Sequence, residues 1–491
     1  MSDKQLTKWL LGISIVFGLY FIYRVYMLPP YASSWDEVDY ALGVMEFDLL
    51  KMQPHFPGYP FFIFGGMMVH AFLDDPILSL QVFNTILLLS AGLPVYWLFG
   101  HYLTKKKAIL STLLLFSLSY PGAMSVQAMS EAAAIPVLWW YLWSLHRAVL
   151  LKTKDSAILP ILLFALLMGI RLSYIGFGVG LLYYWFVFWK ESGKRSEKLK
   201  AISFHLILLI LSQGVWLSAL AANAGSLSTL IQIAFGFTGG HFTEWGGTAE
   251  PGGGLFERLG NYIFINIAWN GLFTQSPWIT IVTVILVIFS VKPIQWKKPD
   301  NGSILLLIVF SSYFFWGLFA QNIDKPRHIL PLALLLGFFF ITGVMKNGKP
   351  LLMMTVSLWF ILHIGTSVKV ISDYHSSPPA IYKTASFFSE INEERPIKVY
   401  TWEETRVYSY LEVPFSHTRV LTYSQFLQDI EHTSKEIYLT GSVLNGFKQQ
   451  GMNNLDEKVE KVQSFHSQEL YDPVYSSITV YKWADKKGER R

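Results

Sequence analysis

The chain of 491 residues contains no cysteine, which excludes disulfides, thiolate metal sites and a cysteine nucleophile. Charge is scarce as well. Charged residues make up 15% of the chain against 52% hydrophobic, too few for a soluble protein built from two or three ordinary domains. The internal repeat symmetry common in transporters is not found, and the C-terminal tail has no glycine-rich phosphate fingerprint, which argues against a nucleotide site there. Chemistry must therefore rest on carboxylates, His, Tyr, Ser or Arg.

In place of these features the chain has apolar runs. From Leu10 to Val368 they recur with lengths suited to a hydrocarbon core of roughly 30 Å. The first, Trp9 to Met27, follows Lys4 and Lys8 but has no small-residue cleavage pattern, so it reads as an uncleaved helix. After about Asp373 the composition returns to that of soluble proteins. The expected architecture is an α-helical polytopic membrane domain over residues 1–372, with a small C-terminal α/β domain over 373–491. In the tail, Ala380 to Ile391 and Tyr423 to Glu431 have helical patterns, whereas Ile397 to Thr401 and Glu436 to Thr440 read as strands.

The formal net charge of +5 is dispersed over short loops, which marks topology and not a nucleic-acid partner. Lys105 to Lys107, Arg147 to Lys154, Lys190 to Lys200, Lys292 to Lys298 and Lys346 with Lys349 form basic loops that should face the cytoplasm with the N-terminus. Between them lie acidic loops that should face outward. Counting on these terms predicts about eleven crossings, with the C-terminal domain outside. Two outer loops are long: Leu28 to Ser79, with an apolar piece at Phe61 to Phe72 expected to be re-entrant or interfacial, and Asn223 to Pro277, which holds the glycine-rich run around His241 and Glu244.

The candidate chemistry sits on the outer side. Asp36, Glu37 and Asp39 crowd into Ser34-Trp35-Asp36-Glu37-Val38-Asp39-Tyr40, just after the first apolar span. Carboxylates at a membrane surface call for a functional explanation, and Asp36 and Glu37 are candidate bases, with helix capping as the alternative. Glu131 opens an apolar helix in Ser130-Glu131-Ala132-Ala133-Ala134. Arg171 lies in an expected turn at Gly169-Ile170-Arg171-Leu172-Ser173. With Lys325, Arg327 and His328 it could clamp a phosphate, Arg being suited to bidentate contact. His55 and His241 could ligate a divalent metal ion alongside a carboxylate, although no close-spaced ligand motif occurs.

The order of these elements resembles the GT-C class of polyprenyl-phosphate-sugar glycosyltransferases, which includes protein O-mannosyltransferases and aminoarabinose transferases. The resemblance rests on the acidic pair in the first outer loop, His55-Phe56-Pro57-Gly58-Tyr59-Pro60 before an apolar helix, Ser130-Glu131, the Arg171 turn, and Lys325-Pro326-Arg327-His328-Ile329-Leu330-Pro331 at the opening of a late helix. It implies an inverting transfer of a sugar from a polyprenyl-phosphate donor to a cell-surface glycan, lipid or protein acceptor at the plasma membrane. Asp36 would be the base. Glu37 and Glu131 would be supporting acidic or metal-binding residues, and Arg171 and Arg327 would contact the lipid phosphate. His55, Tyr59, His241 and Glu244 are candidates for acceptor or lid contacts. A divalent metal ion is a candidate cofactor. The family's Lys-Pro or His-Pro-Pro before the apolar helix is here a Phe at position 56. A flippase of lipid-linked sugars and a non-catalytic scaffold are the competing classes.

Overall fold

The computed structural model describes residues 3–191, 193–240, 254–290, 299–347, 350–452, 454–471 and 475–484. The chain divides into two compact units, Met1–Leu28 with Tyr40–Ser372, and Pro29–Asp39 with Asp373–Arg491. The acidic segment that the sequence places with the membrane domain thus belongs to the second unit.

In the first unit the apolar runs form helices, because in lipid a backbone can satisfy its polar groups only internally. Among the described residues, seven helical stretches of the chain are long and apolar enough to cross a membrane. They are Asp3–Tyr26, Pro76–Tyr102, Leu172–Lys190, Arg195–Asn223, Asn301–Ala320, Pro326–Lys346 and Leu352–Glu394, the last broken at residues 377–379. An eighth is a bent pair, Leu255–Leu272 and Pro277–Ser290, meeting at 99°. Pro60–His70 and Leu227–Gly240 are shorter apolar helices. Seven to eight spans by this measure do not reproduce the expected eleven. The protein is nonetheless a multi-pass membrane protein.

The expected long loop from Asn223 to Pro277 is largely helical where it is described. Its apolar residues outside the glycine-rich run recur at helical spacing, and Ile231, Phe235 and Phe264 present exposed apolar surface. By contrast, the expected turn near Arg171 is present. The helix Ile158–Ile170 stops there, a short 3-10 turn Leu172–Gly178 follows, and the helix Val179–Glu191 continues.

The helix Ser130–Leu151 is buried along most of its length and packs on Pro76–Tyr102, Ile158–Ile170 and Asn301–Ala320. Lipid is as apolar as Leu, so such packing depends on small residues that let backbones approach. Ala132, Ala133 and Ala134 do this on the central helix. Gly317 does it where a Cβ would collide with the Tyr262 hydroxyl, and Gly65 where it would enter the Phe83 ring.

The second unit carries a five-stranded sheet of β1 (Ile397–Thr401), β2 (Ser416–Arg419), β3 (Glu436–Thr440), β4 (Val459–His466) and β5 (Ser477–Trp483), in the order β2-β1-β3-β5-β4. β1 runs parallel to β2 and β3, pairing Val399 with His417 and with Tyr438, while β5 is antiparallel to β3 and β4. Parallel neighbours need crossover connections, supplied by the helices Glu404–Tyr410 and Tyr423–Ile430. Tyr400, Phe426, Leu439, Phe447 and Trp483 form the core, where burying each large apolar side chain contributes about 1.5–3 kcal/mol. Segment 29–39 joins this unit through Tyr31, whose ring meets Tyr382 at 5.0 Å, the Ala32 amide, which donates to the Tyr382 hydroxyl (3.1 Å), and Ser33, bonded to the Tyr374 hydroxyl (2.7 Å).

Glu404 is fully buried in this unit, and its carboxylate accepts from the Trp402 amide at 2.8 Å. Burial pushes its pKa above the ordinary glutamate value, against the pull of the Trp402 and Glu404 amides. The folded state therefore holds this proton to a higher pH than the unfolded chain, and stability falls as pH rises from the ordinary value through the raised one. Glu404→Gln keeps the acceptor and removes the titration. Compared with wild type, its thermal unfolding should show less loss of stability between mildly acidic and neutral pH.

Candidate active site

Glu131 stands in the first turn of Ser130–Leu151, where a carboxylate complements the helix dipole. Its side chain is 3% exposed, and two guanidiniums converge on one of its oxygens. Arg171 Nη2 lies 2.9 Å from Oε1 and Arg327 Nε 3.0 Å, with those side chains 9% and 7% exposed. Arg171 sits immediately past the C-terminus of Ile158–Ile170, the end of a helix that favours a cation. Arg327 lies in the turn Pro326–Ile329 that leads into the helix Leu330–Asn347. These are close ion pairs without well-aligned hydrogen bonds, since neither Glu131 oxygen meets hydrogen-bond geometry among the described residues. These three groups, one carboxylate between two guanidiniums, sum to a net positive charge.

A polar and aromatic wall adjoins it. Arg171 Nη1 donates to Ser130 Oγ at 2.8 Å, and Ser130 Oγ lies 3.3 Å from the Tyr40 hydroxyl. The Tyr40 ring packs against Tyr59 (4.8 Å), Phe62 (5.2 Å) and His55 (5.9 Å), while His55 Nε2 meets the Tyr59 hydroxyl at 3.1 Å. Tyr59 has φ 46°, a left-handed conformation that starts the helix Pro60–His70. The side chain of Asn223 holds the preceding loop, accepting from the Leu49 amide and donating to the Phe47 carbonyl, both at 2.9 Å.

The structure thus brings together Glu131, Arg171 and Arg327, and joins His55 and Tyr59 to them through Tyr40 and Ser130. Tyr40 and Ser130 are not among the residues that the sequence singles out. A Tyr one helical turn after Asp36 and a Ser before Glu131 are the only local signals for them. His328 Nδ1 lies 3.0 Å from the Asn322 carbonyl, and the Tyr313 hydroxyl donates to the His328 carbonyl at 3.0 Å, which holds the turn beside Arg327. Lys325, half-buried, precedes that turn.

The acidic segment, in the second unit, separates into three roles. Glu37 accepts from the Ser33 amide and hydroxyl, both at 2.9 Å, while its own amide donates to Ser34 Oγ at 3.3 Å. This is close to a capping box at the start of Trp35–Met45. Asp39, fully buried, accepts from Arg406 Nε at 2.7 Å and from Trp35 Nε1 at 3.1 Å. Arg406 and Arg419 lie over the Trp35 ring at 5.7 and 5.4 Å. Asp36 is the one of the three that keeps partial exposure.

His241 and Glu244 lie outside the described residues. Among the described residues, no group of three or more His, Asp or Glu side chains is placed to hold a metal ion. Glu131 is already charge-paired by two guanidiniums, so its donor chemistry does not suit a divalent cation.

No family model matches the sequence, and no curated protein matches it. Solved structures do. ArnT from Cupriavidus metallidurans bound to undecaprenyl phosphate is 10% identical over 96% of this chain and 98% of its own, with a TM-score of 0.55. The archaeal oligosaccharyltransferase AglB from Archaeoglobus fulgidus, in complex with an inhibitory peptide and a dolichol-phosphate, is 11% identical over 89% of this chain and 70% of its own, with a TM-score of 0.52. Both are GT-C glycosyltransferases, and this chain has their fold.

Proposed function

We propose that the protein is an integral membrane glycosyltransferase that moves a sugar from a polyprenyl-phosphate donor to an extracytoplasmic acceptor. One observation carries the reading: the buried, net positive Glu131 centre inside a GT-C fold. The lipid phosphates bound to ArnT and AglB support a donor of that class. The peptide on AglB and the aminoarabinose-transferase neighbour are compatible with protein and lipid acceptors alike.

In this mechanism the acceptor hydroxyl gives its proton to the Asp36 carboxylate as its oxygen attacks the anomeric carbon. The bond from that carbon to the phosphate oxygen breaks, and the electron pair leaves with the polyprenyl phosphate. Attack from the face opposite the leaving group inverts the anomeric carbon. The phosphate gains negative charge as it departs, and Arg171 and Arg327 are placed to stabilise it. Glu131 holds both guanidiniums through loosely aligned ion pairs, which an arriving phosphate can replace as partner. Lys325 and His328 are auxiliary phosphate contacts, and His55 and Tyr59 line the acceptor side. No step requires a metal ion. The N-terminus is assigned to the cytoplasm and residues 373–491 to the outside.

The test is donor turnover by purified protein in lipid, with a panel of polyprenyl-phosphate sugars and release of free polyprenyl phosphate as the readout. Arg171→Ala leaves Glu131 paired with Arg327, so the protein should fold. Donor affinity should fall roughly tenfold to a hundredfold, the worth of a hydrogen bond to a charged group. Translocation of labelled lipid-sugar across the bilayer without release would show a flippase in its place.

A further inference from the structure

The first helix carries a buried cation that this mechanism does not use. Arg24 lies in the last turn of Asp3–Tyr26 and is 4% exposed. A guanidinium buried in an apolar environment ordinarily sits against a carboxylate or several acceptors. Arg24 has neither among the described residues. Its Nη2 donates to Ser125 Oγ, itself tied to the Gly122 carbonyl at 2.7 Å, and its Nε has no hydrogen-bond partner. The Tyr20 and Phe21 rings, 5.4 and 5.7 Å from the guanidinium carbon, hold it in place without neutralising it. The helix dipole accounts for a cation at this end of the helix, but not for unspent donors in a buried site.

The Arg24 side chain opens onto a cavity of about 30 Å³ that Glu131 and Ser125 also line, with Leu115, Leu330 and Leu334 among the apolar walls. The space would hold about one water molecule, and so one oxygen atom of a larger anion. Glu131 is already shared by Arg171 and Arg327. A guanidinium with an unspent donor, on the wall of a cavity that Glu131 also lines, is the complement of an anionic oxygen.

We propose that Arg24 is a further anion-binding residue of the Glu131 centre and takes one oxygen of the polyprenyl phosphate into this cavity, from an element that neither Arg171 nor Arg327 occupies. The assignment rests on the donor class proposed above.

The experiment compares binding of undecaprenyl phosphate, undecaprenol and inorganic phosphate to the full-length protein in lipid, for wild type, Arg24→Gln, Arg24→Lys and Arg171→Ala. Unfolding temperature checks that each variant is folded. Wild type should prefer the lipid phosphate to the alcohol, and folded Arg24→Gln should lose roughly tenfold or more of that preference. An unchanged preference overturns the assignment. Should Arg24→Gln not fold, Arg24→Lys decides. It keeps the charge but not the forked donors, so a loss of roughly threefold or more supports the proposal and no loss overturns it. A preference lost in Arg171→Ala but kept in Arg24→Gln sinks only the Arg24 role. No preference in wild type sinks the donor reading with it. Inorganic phosphate binding as tightly as the lipid phosphate would show a site for the free anion and overturn the lipid source.

Discussion

Glu131→Gln should lower the unfolding temperature sharply and remove most turnover. The substitution leaves the Arg171 and Arg327 guanidiniums side by side, with side-chain exposures of 9% and 7% and no carboxylate between them. Breaking a buried ion pair by removing one partner costs about 3–5 kcal/mol, because the remaining charge is uncompensated. Thermal unfolding in lipid or detergent measures this. The double variant Glu131→Gln with Arg171→Gln removes one of the two stranded charges and should recover part of the stability, which a double-mutant cycle quantifies. Additive losses would mean that the three groups do not act as a unit.

Asp36→Asn should reduce turnover by roughly a hundredfold or more, the usual worth of a positioned general base, with donor affinity unchanged. Asp39→Asn is the informative comparison. Asp39 is spent on Arg406 and Trp35 at 2.7 and 3.1 Å, so its replacement should chiefly destabilise the second unit. Glu37→Gln should chiefly weaken the start of the helix Trp35–Met45, by about 1 kcal/mol for a lost cap. Turnover kept in Asp36→Asn but lost in a stable Asp39→Asn would move the base to Asp39 and leave the donor site unaffected.

Part of this site is legible in the amino-acid sequence. Glu131, Arg171 and Arg327 stand out because each is a charge beside an apolar run, where charge is expensive. Their partners are not legible there. Residues 131, 171 and 327 lie on three segments far apart in the chain, and nothing in local composition says that they converge on one carboxylate oxygen. Arg24 reads as an ordinary basic end to a first span, since the absence of a carboxylate partner among the described residues depends on what packs around it. Tyr40 and Ser130 are common residues whose only local signals are a place one helical turn after Asp36 and a place just before Glu131. The segment around Asp36 follows the first span in sequence, yet its contacts are with Tyr374, Tyr382 and Arg406, more than three hundred residues away.

By itself, the sequence determined the class of molecule: a multi-pass membrane protein without thiol chemistry, with carboxylates and arginines as its available catalytic groups, and a polar tail of mixed helix and strand. Those properties are sums over local windows of roughly twenty residues, the length that crosses a bilayer. The tertiary structure decided which charges meet, which are capped or paired, and which keep an unspent donor. Ion pairing and burial depend on packing between distant segments, and a window of local sequence contains no term for that.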